Sequence, residues 1–161
     1  MINSLKLDPF TRALWGEFDA YAIAQLEVLL NDRCYTPRLY VAPDLASNLL
    51  ENTPPGILAN GYAEYGLTIT PGSIIIGAYL FGTATTSFML QITDVSLDHA
   101  IYDQPVPAWF LQNAKGDFPT LWDTPHPVVG EGLFRMEFWN QLSTPQIIQI
   151  TLAVLEPCDP Q

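Results

Sequence analysis

Residues 87–95 read SFMLQITDV and residues 146–155 read QIIQITLAVL. In the first stretch Phe88, Leu90 and Ile92 share one face, with Met89, Gln91 and Thr93 on the other. In the second, Ile148, Ile150, Leu152 and Val154 recur at every second residue. A half-buried antiparallel strand needs that period, because successive side chains point to opposite faces of a sheet. Residues 133–139 (LFRMEFW) alternate in the same way, with Arg135 and Glu137 opposite Phe134, Met136 and Phe138. Residues 73–81 (SIIIGAYLF) follow a Pro71-Gly72 turn signal and are rich in β-branched and aromatic residues.

Working outward, residues 67–70 (LTIT) and 39–42 (LYVA) are short strand candidates. Residues 18–30 (FDAYAIAQLEVLL) fit two templates, a helix with Phe18, Tyr21, Ala22, Leu26 and Leu29 on one stripe, or a long strand. Residues 44–51 (DLASNLLE) suit a helical turn capped by Asp44. Residues 52–66 and 98–132 read as long, proline-marked connections, where contacts with partners often sit. The chain holds 14 Pro and 10 Gly, and most prolines fall between apolar runs. Proline neither continues a helix nor donates to a ladder, so this spacing sets many short elements joined by turns. The expectation is a mainly β fold: a single antiparallel β-sandwich, jelly-roll-like, with long loops and at most one or two short helices. Its division is an N-terminal segment over 1–66 of mixed strand, helix and loop packing on the sandwich, a sandwich core over 67–157, and a short tail over 158–161.

The length of 161 residues suits one domain with a real core. Charged residues are only 14% of the chain, against roughly 25% in typical soluble domains. With 48% hydrophobic residues, the composition is that of a globular chain and not of a disordered one. The charge is lopsided, 6 Lys+Arg against 17 Asp+Glu, net −11, with a pI near 4.2. Such a chain lacks the electrostatic footprint for nucleic acid or an anionic membrane surface. No apolar run reaches the length of a membrane span. A chain with so few charges has apolar surface to hide, part of it against other subunits.

The sequence offers little for catalysis. His99 and His126 have no second histidine at ligand spacing, so no metal site and no cofactor is expected. His126, between Pro125 and Pro127, reads as a solvated loop histidine. There is no GxSxG elbow and no phosphate loop. Asp94, Asp98 and Asp103 match no calcium loop. Cys34 and Cys158 lie far apart without a CxxC, and read as two free thiols, a disulfide being the minority alternative. What remains is aromatic. Trp109 and Trp122 flank the loop 106–124, and with Phe110, Tyr102 and His126 they are the candidates for an interface or a ligand. Aromatic residues are enriched at protein interfaces, and exposed rings also stack on sugars.

The second half of the chain adds a resemblance. PGSIIIGAYL at 71–80, SFMLQITDVSLDHAIYDQPVP at 87–107 and PVVGEGLFRMEFWNQLSTPQIIQITLAVLEP at 127–157 resemble small β-sandwich structural proteins of tailed bacteriophage virions. The matching residues are Phe88, Gln91, Ile92, Thr93 and Asp94, then Gly132, Leu133, Glu137, Trp139 and Asn140, then Glu156 and Pro157. No catalytic residue comes with the likeness. It implies a non-enzymatic particle component, a capsid decoration or tail-associated subunit. The implied partners are other virion proteins and copies of itself in a homo-oligomer, without nucleic acid or membrane. No signal peptide is visible in the opening residues, so the expected origin is the host cytoplasm and the expected destination the virion. The alternative function is a carbohydrate- or receptor-binding β-sandwich module, with a glycan as ligand.

Overall fold

Four antiparallel pairs nest inside one another. β1 (Tyr35–Ala42) pairs with β9 (Ile148–Pro157), and β2 (Tyr62–Thr68) with β8 (Leu133–Asn140). Inside these, β3 (Ile74–Gly82) pairs with β7 (Thr120–Pro127), and β4 (Phe88–Asp94) with the two short strands β5 (His99–Ala100) and β6 (Val106–Pro107). The structure, a computed structural model, describes residues 33–43, 57–82, 87–111 and 120–158. Over these residues the chain is one long hairpin with its tip at the turn 95–98.

Rolling up that hairpin adds two further pairings, β3 with β9 and β4 with β8. The result is one sheet of order β1-β9-β3-β7 and a second of order β2-β8-β4-β5, with β6 also on β4. Among the described residues there is no α-helix, and Ala108–Leu111 form a 3-10 helix. The two sheets face each other across a single core. The first contributes Ile75, Leu80, Trp122, Ile150 and Leu152, and the second Phe88, Leu90, Ile92, Met136 and Phe138. This is an antiparallel β-sandwich with the strand order of a jelly roll.

Local chemistry explains the elements. The turn before β3 has Pro71 followed by Gly72 at φ 84°, closed by Ser73 N–H donating to Thr70 O at 3.2 Å, the residue choice of a type II turn. At Gly132, φ is 65° and a side chain would run into the carbonyl of Ile69, so glycine is required where the two backbones meet. The three strands expected from alternation, and the one expected from the Pro71-Gly72 turn and its β-branched content, are present within two residues at each end. LYVA is the C-terminal half of β1, and LTIT overlaps β2.

Other expectations change. The stretches 52–66 and 98–132, read as connections, contain the start of β2, all of β5, β6 and β7, and the 3-10 helix. β7 was hidden by Pro125 and Pro127. It lies at the edge of its sheet, as does β1 with Pro37, and an edge strand tolerates a residue that cannot donate. The sheets also reach N-terminally of residue 67, taking in Tyr35–Ala42 and the whole of β2. The alternatives for 18–30 and the capped turn at 44–51 lie outside the described residues.

The thiol reading is overturned. Cys34 and Cys158 form a disulfide across 124 residues, with Cα atoms 5.4 Å apart. The register explains it: Tyr35 is opposite Pro157, so the next pair outward is Cys34 and Cys158, and Cys158 N–H donates to Cys34 O at 3.0 Å. The bond closes the open end of the long hairpin.

Candidate functional site

The aromatic candidates separate. Trp109 and Phe110 stand on the 3-10 helix with 52% and 58% of their surface exposed, their rings 6.4 Å apart edge to face. The helix is pinned on its other side by Ala108 and Leu111, both buried, and packs against β3 and β4. Two rings are thus held out on a base that is buried against the sandwich.

Trp122 is not with them. It lies on β7 and belongs to the core, its indole Nε1 buried without a partner among the described residues. Its assignment as a surface anchor is therefore corrected: the strand hidden by prolines turns the indole inward. Tyr102 is half-buried against the core, and burial pushes its hydroxyl up to about 12. Its carbonyl accepts from Gln91 Nε2 at 2.6 Å, tying the loop after β5 down onto β4.

His126 is not a solvated loop residue either. It pairs in register with Ile75, so it faces inward, and only 15% of its side chain is exposed. Its Nε2 lies 2.9 Å from Oδ2 of Asp94, a carboxylate with no exposed surface. An ionised carboxylate only accepts, so in this pair the imidazole N–H donates. The other carboxylate oxygen of Asp94 accepts from Leu97 N–H at 3.2 Å, closing the hairpin tip. Asp94 belongs to the second sheet and His126 to the first, so the contact joins the two sheets at the tip end. The ring of Phe134 meets His126 edge-on at 5.9 Å, and that of His99 lies nearly parallel at 6.5 Å. The signal for this pair was present: Asp94 is in phase with Phe88, Leu90 and Ile92, a charge at a core-facing position. Among the described residues no three His, Cys, Asp or Glu side chains are grouped to hold a metal.

Near the same end of the sandwich, beyond Val154, the register partner of Ile75, the carboxylate of Glu156 accepts from Thr70 Oγ1 at 2.5 Å, from the Tyr40 hydroxyl, and from Arg38 Nε at 3.2 Å. The hydroxyl hydrogen bonds, with Arg38 adding to them, hold its carboxyl below the ordinary range.

The outward face of the second sheet was not anticipated as a site. Tyr62 and Trp139 are register partners there, with rings 5.4 Å apart and tilted by 46°. Beside them Glu64 lies opposite Glu137, and Glu137 opposite Gln91. The Tyr62 oxygen is 2.9 Å from Glu64 Oε2 and 2.8 Å from Glu137 Oε1. Arg135 Nε is 3.5 Å from the other oxygen of Glu137. The period-two reading placed Arg135 and Glu137 outward, but β2, which brings Tyr62 and Glu64 beside them, was read as a connection.

The fold and these surfaces define the class: a jelly-roll β-sandwich with exposed surface aromatics. Neither protein-family models nor curated proteins match the chain.

Proposed function

We propose that this chain is a structural subunit of a tailed-bacteriophage virion, acting by assembly with copies of itself and other virion proteins on the capsid surface or tail. The observation that carries the reading is the Trp109–Phe110 pair. Two large apolar rings, each more than half exposed, stand on a helix whose other residues are buried. Adjacent exposed aromatics on a fixed base are the anchors that protein interfaces use. The disulfide supports the same reading, because such bonds persist on virion surfaces and in other oxidising settings, and are rare in the cytosol. The double-sheet jelly roll recurs in viral capsid domains, and it is also a lectin fold, so it supports the class without deciding it. In this reading the chain binds rather than catalyses.

The test pairs oligomer mass by light scattering with melting temperature. Trp109→Ala and Phe110→Ala leave the melting temperature near that of the wild type and weaken association by about 2 kcal/mol or more. Trp122→Ala, in the core, lowers stability by about 3–5 kcal/mol. Unchanged oligomer mass in both surface variants removes the argument for this rim as the assembly surface.

A further inference from the structure

Side chains on the outward face of the second sheet form rows across its strands. Tyr62 and Trp139 make one row, Glu64, Glu137 and Gln91 the next, and Arg135 stands in the third. With strands about 4.8 Å apart and same-face residues about 7 Å apart along each strand, the platform has the footprint of a short oligosaccharide. Tyr62 is 49% exposed and Arg135 44% exposed in its side chain, Glu64 is exposed, and Trp139 and Glu137 are partly exposed, so the surface is open over β2 and β8 and closes toward Gln91 on β4.

The hydrogen bonding of the middle row is incomplete. A phenol carries one hydrogen, and Tyr62 places its oxygen within bonding distance of two carboxylates. Burial and those carboxylates push its hydroxyl far above the ordinary phenol range, so it remains a donor. It satisfies one acceptor at a time. Glu64 and Glu137 are also like charges directly opposite on paired strands, an arrangement that destabilises a sheet. In the same row Gln91, itself only 7% exposed, keeps its Oε1 without a partner among the described residues. Gln91 Oε1 lies beneath the surface, so the acceptors a ligand on this face meets are the carboxylates of Glu64 and Glu137, and a ligand that suits them brings donors.

We infer that this face is a carbohydrate-binding site for neutral hexose chains, the apolar face of a sugar ring lying on Tyr62 and Trp139 while its hydroxyls donate to Glu64 and Glu137 and accept from Arg135. A simple cation fits less well, because it meets the guanidinium of Arg135 and leaves those donors unused. A polyol both gives and takes. An acidic glycan is disfavoured by the chain's net charge of −11. The site goes beyond the assembly reading and is independent of it, since Trp109 and Phe110 take no part.

The test uses the full chain with its disulfide intact. Cellohexaose, laminarihexaose, mannohexaose and maltohexaose are titrated by calorimetry and tryptophan fluorescence, with calcium chloride and N-acetyl-lysine methylamide as comparison probes. At least one hexasaccharide binds with a Kd of about 1 mM or tighter. Tyr62→Ala and Glu137→Gln each weaken that binding by about tenfold or more, at unchanged melting temperature. Oligomer mass stays constant in both variants, which separates this site from the assembly surface. Absence of binding by all four sugars overturns the proposal. So does binding that both variants leave intact, or binding of calcium or the lysine amide in place of sugar.

Discussion

In the first sheet, Ile74, Ala153 and Leu155 point away from the sandwich core and are still buried, with 2%, 2% and 1% of their surface exposed. In the second sheet the residues pointing away on β2 and β8, Tyr62, Glu64 and Arg135 among them, are open to solvent, whereas Gln91 and Thr93 on β4 are buried. Ile75 and Val154, the register neighbours of Ile74 and Leu155, belong to the core, so both faces of β3 and β9 are covered there. The sequence pattern agrees. Strands covered on both sides read as continuous apolar runs, as SIII and LAVL do, whereas β2 and β8 alternate. The lesson is a division of labour: β3 and β9, covered on both faces, contribute stability, and the outward faces of β2 and β8 present polar and aromatic side chains that are free to meet a ligand.

Charge placed on the two outward faces gives the largest contrast. Leu155→Asp buries an unpaired carboxylate and costs about 3–5 kcal/mol in denaturant unfolding. Thr68→Asp, outward on the second sheet, stays within about 0.5 kcal/mol of the wild type. Equal costs at the two positions break the comparison.

The next effect belongs to the first sheet alone. Reducing Cys34–Cys158, or replacing both with Ser, lowers stability by about 2–4 kcal/mol, read as a fall in melting temperature. Sugar binding on the second sheet is unchanged in the replaced protein at a temperature where it remains folded. Asp94→Ala tests the link between the sheets. It leaves the His126 and Leu97 N–H groups without their acceptor and costs about 1–3 kcal/mol.

The smallest effect depends on pH. Hydrogen bonds from Thr70 and Tyr40, with Arg38 behind them, lower the carboxyl of Glu156 below its ordinary 4.5. A carboxyl lowered in the folded state stabilises above the unfolded value and loses that contribution as pH falls through the folded one. Glu156→Gln therefore costs about 1 kcal/mol at pH 7, and the deficit shrinks below pH 4.5. A deficit independent of pH over that range contradicts the ionised hydrogen-bonded carboxylate.

The sequence by itself determined that β3, β4, β8 and β9 are strands, which residues of the alternating ones face inward, and that the fold is a two-layered β domain. Those features are local: a period of two is visible within eight residues and needs no partner. The tertiary structure decided what depends on register and on how the long hairpin rolls up. It brought Cys34 beside Cys158, put His126 against Asp94, and set Tyr62 and Glu64 next to Trp139 and Glu137. It also sent Trp122 inward and left Trp109 outside, although both sit in the same proline-marked stretch. Pattern fixes the face on which a side chain lies. The residue it meets there depends on chain closure over as many as 124 positions, and nothing in the local sequence encodes that distance.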